Sequence, residues 1–227
     1  MLNYTVAPDL LRPHVPKGVE LDTWNNKTWL SMVGFRFLRT KVLGWRVPWH
    51  SNFEEVNLRF YVRRRGPEGW RRGVVFIKEI VPRRLIATVA RFCYNEPYEA
   101  MPMRHSIELG DGGSQNSGAV EYAWQFREGW NSLRATAVGA PRPAGEGSEE
   151  EFITEHYWGY TAQRHGGCKE YQVEHARWNV WQAKDAVLQC EAAGLYGAKF
   201  VEVLSAAPLS AFVAEGSPVS VSSGTAI

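Results

Sequence analysis

Apolar and polar positions alternate with a period of two along much of the chain. In NFEEVNLRFYVRR, Val56, Leu58, Phe60 and Val62 fall on one face, and Glu55, Asn57, Arg59 and Tyr61 on the other. GVELDTW and TWLSMVGFRFLRTKV flank NNK, which predicts a strand, a tight turn and a strand. VEYAWQF and NSLRATAV are joined across REGW in the same way, and RRRGPEGWRR turns at its Gly-Pro-Glu-Gly centre with arginines at a solvated mouth. KEYQVEH, AVLQCEAA and PVSVSSG supply further short strands. About ten strand candidates place the chain in the mainly β class.

Helices are few. VPRRLIATVARFCYN carries Leu85, Val89 and Phe92 at helical spacing, opens after Pro82 and closes near Asn95. SEEEFITEH pairs Ser148 with Glu151 in a capping-box pattern, LYGAKFVEVLSA reads as a third short helix, and Pro8 to Val15 as a turn or two. GDGGSQNSG and GAPRPAGEGSEE are Gly-, Pro- and Ser-rich loops, but strand patterning resumes after each, so a single domain over 1–227 is expected. MLNYTV is strand-like from its first residue, which predicts a first strand that starts there or is shortened.

Composition narrows the functional classes. With 44% hydrophobic and 22% charged residues over 227 positions, the chain reads as an ordinary soluble protein with a substantial core. Ten Trp and 13% aromatics suit barrels and pockets as well as plain core filling. A net charge of +2 gives no general attraction to nucleic acid. The three cysteines (Cys93, Cys168, Cys190) are scattered, which argues against a disulfide framework or a cysteine zinc site and for a reducing, cytoplasmic setting. No apolar run reaches membrane-spanning length and no signal-peptide pattern opens the chain. The six histidines show no metal spacing, and there is no P-loop, G-x-G-x-x-G or G-x-S-x-G. No metal or cofactor is expected; homo-oligomerisation is left open.

Three groups of residues could carry chemistry. The face bearing Glu55, Asn57 and Arg59 either meets water on an open sheet or lines the lumen of a closed barrel. Lys78 and Glu79, in VVFIKEIV, lie on opposite faces of a regular strand. Each is then a charge among apolar neighbours, which requires a partner, a bulge or an exposed strand end. An ion pair with Arg83 or Arg84 and a catalytic role both remain open. His156, in TEHYWGY, lies among aromatics, either as a packing residue or facing a cavity.

APDLLRPHVPKGVELDTWNNKTWLSMVGFRF, FEEVNLRFYVRR, GVVFIKEIVPRRLIA and EHYWGYT together resemble the YqjF-like proteins, a bacterial family of unknown function whose members usually carry further residues ahead of this start. That family looks like a relative of acetoacetate decarboxylase. The resemblance implies a cone-like, mostly antiparallel β-barrel with short peripheral helices, binding a small organic acid or ketone. PDLLRPHVP is similar to the segment with an active-site arginine, here Arg12. FEEV is similar to the segment with an active-site glutamate, here Glu55. VPRRLIA is similar to a Pro-Lys-Lys-Leu stretch whose first lysine forms a Schiff base, its pKa lowered by the second. Arg83 and Arg84 stand there instead, and a guanidinium cannot act as an amine nucleophile. The resemblance therefore implies an anion pocket of Arg12 with Arg83 or Arg84, Glu55 as acid, base or orienter, and Asn57 and Arg59 on the wall. Lys78 could replace the reactive lysine if the strand brought it to the same cavity.

Overall fold

The structure, a computed structural model, describes residues 1–38, 41–42, 45–46, 52–109, 117–164 and 166–227. The strands are β1 (Leu2–Val6), β2 (Thr28–Phe37), β3 (Phe53–Gly66), β4 (Gly69–Val81), β5 (Tyr98–Ala100), β6 (Met103–Glu108), β7 (Ser117–Phe126), β8 (Gly129–Pro143), β9 (Trp158–Ala162), β10 (Cys168–His175), β11 (Asn179–Gln189), β12 (Ser210–Ala214) and β13 (Val219–Val221). With the two-residue strands Glu20–Leu21 and Thr225–Ala226 they form one 15-stranded sheet, ordered β13-β10-β9-β4-β3-β2-β1-β12-β11-β8-β7-β6, with β5 beside β4. Among the described pairings, β4 runs parallel to β5 and to β9, and the rest are antiparallel. The short helices are α1 (Pro8–Leu11), α2 (Arg84–Tyr94), α3 (Glu149–Thr154), α4 (Ala192–Tyr196) and α5 (Val201–Ser205). The chain is mainly β, as its alternation requires.

Local sequence explains the turns and caps. Asn25 (φ 50°) and Asn26 (φ 58°) supply the two left-handed residues of a tight hairpin turn, closed by reciprocal backbone bonds between Trp24 and Lys27 at 3.1 and 3.0 Å. Helix α2 starts two residues after Pro82 and ends at Asn95, which adopts the left-handed C-cap conformation (φ 59°). In α3 the Ser148 hydroxyl accepts from the Glu151 amide at 3.1 Å, while the Glu151 carboxylate reaches back to the Gly147 amide at 2.7 Å. That is one residue earlier than the usual capping box.

Several boundaries differ from expectation. The helix anticipated over LYGAKFVEVLSA is broken by Gly197 (φ 98°) into α4, a 3-10 turn at Ala198–Phe200, and α5. The strand anticipated at AVLQCEAA begins seven residues earlier, at Asn179, runs as β11 to Gln189, and yields Ala192 and Ala193 to α4. On α2, Leu85 is exposed and Ala87 is buried; the side chains of Val89 and Phe92 lie outside the described residues. Most of the Gly-rich loop read at 110–118 also lies outside them.

The sheet rolls so that one face packs on itself. Gly34 pairs with Val56, and a Cβ at Gly34 would collide with the Tyr122 ring and crowd Leu133, so this face of β2 and β3 lies directly against β7 and β8. Val56, Leu58, Phe60 and Val62 are fully buried there with Leu30, Met32, Trp124 and, from the C-terminal helical segment, Tyr196, Phe200 and Leu204. Each such large apolar side chain contributes about 1.5–3 kcal/mol relative to exposure. The opposite, polar face of β3 is also buried. Tyr61 packs on Phe152 of α3 with ring centroids 5.1 Å apart, and Tyr98 at the start of β5 reaches the end bearing Glu55.

Among the described residues no helix is long and apolar enough to cross a membrane.

Candidate functional site

The Lys78–Glu79 problem is solved by a bulge. Phe76 pairs with Arg59 and Lys78 pairs with Leu58, so Ile77 is an extra residue and the alternation of β4 reverses there. Val74, Phe76 and Glu79 consequently share the face of Tyr61, Arg59 and Asn57, while Val75, Lys78 and Ile80 share the apolar face of Phe60, Leu58 and Val56. Lys78 is drawn to the sheet margin, where its ammonium pairs with Glu99 of β5 at 2.7 Å. It does not enter the face that carries Glu55. Neither Lys78 nor Glu79 pairs with Arg83 or Arg84.

Glu79 instead joins a buried polar cluster. Glu55 Oε1 accepts from Asn57 Nδ2 at 2.9 Å, and Glu55 Oε2 accepts from the Tyr98 hydroxyl at 2.9 Å. Tyr98 is placed by the parallel pairing that sets it beside Glu79. Glu96, at the entry to β5, accepts from the Tyr171 hydroxyl at 2.7 Å and from the Thr161 hydroxyl. Two features deliver Glu96. The left-handed Asn95 donates from Nδ2 to the Ala162 carbonyl at 2.7 Å, docking the corner on β9. Gly159, opposite Tyr171, leaves room for the Tyr171 ring, which would occupy the space of a Cβ. Glu55, Asn57 and Glu79 are 1%, 1% and 2% exposed, and Glu96 is 5% exposed.

Burial dominates the electrostatics of this cluster. It pushes the Glu55 carboxyl up to about 7, against the lowering effects of Asn57, Tyr98 and the more distant Arg59. Glu96 is raised to about 7 by burial despite its two hydroxyl donors, and the nearby Glu55 adds to the rise. Glu79 is raised well above the ordinary carboxyl value by burial and then by the charges of Glu96 and Glu55. Burial also drives the Tyr98 and Tyr171 phenols upward. Burial and mutual repulsion oppose the ionisation of all three carboxyls together, and Glu55 and Glu96, raised to about 7, can take up and give back protons near neutral pH.

The other anticipated residues make no described hydrogen bond to this cluster. Arg59 extends along the same face; its Nη2 donates to the Ile153 carbonyl at 3.3 Å, and its guanidinium stands 5.8 Å from the Tyr61 ring centroid. His156 is buried against Tyr61 (4.7 Å) and Phe152 (5.0 Å), with Nε2 3.2 Å from Asp22 Oδ2. Burial lowers its pKa to about 4, so the ring is neutral and Nε2–H donates. Asp22 is held further by Arg72 at 2.7 Å. Arg12, its side chain 69% exposed, pairs with Asp9 at 2.8 Å, and Arg83 and Arg84 are exposed. No described bond links these three arginines to Glu55. The arginines of the β3–β4 hairpin are not simply solvated: Arg64 (3.1 Å) and Arg71 converge on the buried Glu170, and Arg63 pairs with Glu20 at 2.7 Å.

Among the described residues no group of three or more His, Cys, Asp or Glu has the geometry to hold a metal ion. A cleft of about 390 Å³ opens elsewhere, between Phe126, Arg127, Trp130 and Glu191, where Arg127 and Glu191 stand 3.8 Å apart.

Residues 1–218 match DUF2071, a family described as an uncharacterized conserved protein. The chain belongs to this family. It is 28% identical over 187 residues to the uncharacterized protein YqjF of Bacillus subtilis (strain 168), covering 80% of this chain and 72% of that one. In fold it is similar to acetoacetate decarboxylase from Legionella pneumophila, with a TM-score of 0.63 at 13% identity, covering 100% of this chain and 82% of that one. It is similar also to the enduracididine biosynthesis enzyme MppR complexed with pyruvate, with a TM-score of 0.62 at 13% identity and coverage of 99% and 84%. At such identities the likeness establishes the fold, which in this DUF2071 chain is acetoacetate decarboxylase-like.

Glu96, Tyr98, Thr161 and Tyr171 were not anticipated as site residues, and Glu79 was weighed only beside Lys78. For Glu79 the signal was present, as a charge in an apolar run, but the bulge reversed its face. Glu96 stands alone between Asn95 and Pro97, and no spacing tied it to Glu55.

Proposed function

We propose that this chain, as one cytoplasmic domain, binds a small organic acid or ketone against the Glu55–Glu79–Glu96 cluster and acts on it by carboxyl acid–base chemistry without a Schiff base. The observation that carries the reading is the convergence of three buried carboxyls at the position where similarity to the decarboxylase calls for an active-site glutamate. A carboxyl raised to near 7 can exist as acid or base at working pH, which suits proton removal next to a carbonyl. Arg59 supplies the cationic end of the same face. The neighbours support a small-molecule ligand, since MppR is complexed with pyruvate. Lys78, on the opposite face and paired with Glu99, leaves the amine role unfilled.

The competing reading is a binding or sensor protein without turnover, favoured by the dense enclosure of the cluster. The test is proton NMR in D₂O with acetoacetate, pyruvate and acetone. The enzyme reading predicts saturable binding and deuterium entry next to the carbonyl, lost in Glu55→Gln. Binding without exchange would support the sensor reading, and no binding of any of the three would refute both.

A further inference from the structure

Hydrogen-bond supply on the polar face of β3 is unbalanced in a specific way. Six buried side-chain polar atoms lack a partner among the described residues: Tyr4 Oη, Asn57 Oδ1, Arg59 Nε, Glu79 Oε2, Trp124 Nε1 and His156 Nδ1. Three of them belong to one small patch. Asn57 and Glu79 are directly paired across β3 and β4, and Arg59 is the next residue on that face, about 7 Å along the strand. Buried polar groups are nearly always paired, so unpaired ones gathered on one face need an explanation. Here the pattern has polarity. Once Glu79 gives up its proton, it and Asn57 both offer oxygens that want donors, flanked by Glu55 and Glu96, and Arg59 offers an N–H that wants an acceptor.

A ligand that balances this patch carries a donor-rich cationic end and an anionic end a few ångströms apart. We infer that the ligand is a small amino acid in zwitterionic form, its carboxylate against the Arg59 guanidinium and its ammonium against the Asn57 and Glu79 oxygens. This rests on the small-molecule reading above and names the ligand class. An ammonium brings three N–H donors and a charge that forms strong bonds to carboxylate oxygens. A hydroxyl brings one donor. A ketone oxygen brings none: it could be served only by a protonated Glu79, and Asn57 Oδ1 would stay unpaired.

The inference predicts a proton signature. The titratable groups facing the ammonium are Glu55, Glu79, Glu96, Tyr98 and Tyr171, with Arg59, and near it His156 and the Met1 amino group, at the other end. The three carboxyls hold protons near neutral pH because they are buried and close together. A cation placed among them favours their ionised forms, so an amino acid releases protons on binding. A simple keto acid anion has the opposite tendency.

The test is titration calorimetry of the full chain at pH 7 in two buffers of different ionisation enthalpy. The probes are glycine, β-alanine, γ-aminobutyrate, lactate and pyruvate. The expected result is that at least one amino acid binds about tenfold or more tightly than pyruvate or lactate, with proton release. Glu79→Gln should weaken that amino acid about tenfold and remove much of the release; an unchanged thermal melt at pH 5 would show the variant folded. Pyruvate or lactate binding as tightly as every amino acid, or amino acid binding without proton release, would overturn the inference. If pyruvate alone binds, the ligand class is wrong and the small-molecule site stands. If no probe binds, both readings fall.

Discussion

Replacing Glu55 by Gln should reverse part of the protein's response to pH. In the folded chain the Glu55 carboxyl titrates at about 7 rather than the ordinary 4.5, because burial disfavours its charge. A raised carboxyl pKa means that the folded state holds a proton that the unfolded state has lost. Between pH 4.5 and 7 the folded chain therefore binds more protons, and stability falls as pH rises through that window. At about 1.4 kcal/mol per pH unit, this shift is worth ~3 kcal/mol at pH 8, an upper figure because local relaxation lets water reach the charge. Gln cannot ionise, fills nearly the same space, and can accept from Asn57 while donating to the Tyr98 oxygen. Urea unfolding of both proteins at pH 4.5, 6 and 8 measures the difference. The variant should match or trail the wild type at pH 4.5 and exceed it by ~1–3 kcal/mol at pH 8. Using the difference removes titrations that do not depend on Glu55, such as that of His156, while Glu79 and Glu96, which the Glu55 charge raises, relax with it and add to the gain at high pH. Identical pH profiles, or a variant that loses ground as pH rises, would refute the buried-carboxyl argument.

Four further outcomes are expected. His156→Phe should keep the aromatic packing on Tyr61 and Phe152 and flatten the loss of stability between pH 6.5 and 4, because a His with its pKa lowered to about 4 stabilises only while neutral; an unaltered acid limb would contradict this. Glu170→Gln should cost ~2 kcal/mol in denaturant unfolding by leaving Arg64 and Arg71 without their shared carboxylate, discounted because both arginines keep some solvent. Gly159→Ala should cost at least ~2 kcal/mol, since the Tyr171 ring fills the space of the new methyl; a neutral effect in thermal melts would show that the ring can move. Borohydride with acetoacetate or pyruvate should trap no adduct detectable by mass spectrometry, in the wild type or in Arg83→Lys, and an adduct on Lys78 would make that strand the reacting element.

The alternation along 52–64 was enough to assign both faces of β3, because buried strands separate their side chains strictly by parity. The NNK turn and the Ser148 cap were legible for the same reason: each depends on residues a few positions apart. What failed was parity across an irregularity. A bulge at Ile77 is one residue, leaves no compositional mark, and exchanged the roles of Lys78 and Glu79. Strand β6 was missed because His105, Ser106 and Glu108 sit on an exposed edge and need no apolar period. Glu96 and Tyr171 lie 75 residues apart and meet only through the parallel pairing of β4 with β5 and β9, which no local pattern encodes.

The central claim is that the Glu55–Glu79–Glu96 face is a ligand site that works without an amine nucleophile. A crystal structure of the full chain soaked at pH 7 with β-alanine, and in parallel with pyruvate, tests it directly. The account predicts non-covalent density bounded by Asn57, Glu79 and Arg59, with Lys78 still paired to Glu99. A cluster closed solid by its own side chains in both soaks, or ligand density bonded to Lys78 on the opposite face, would contradict it.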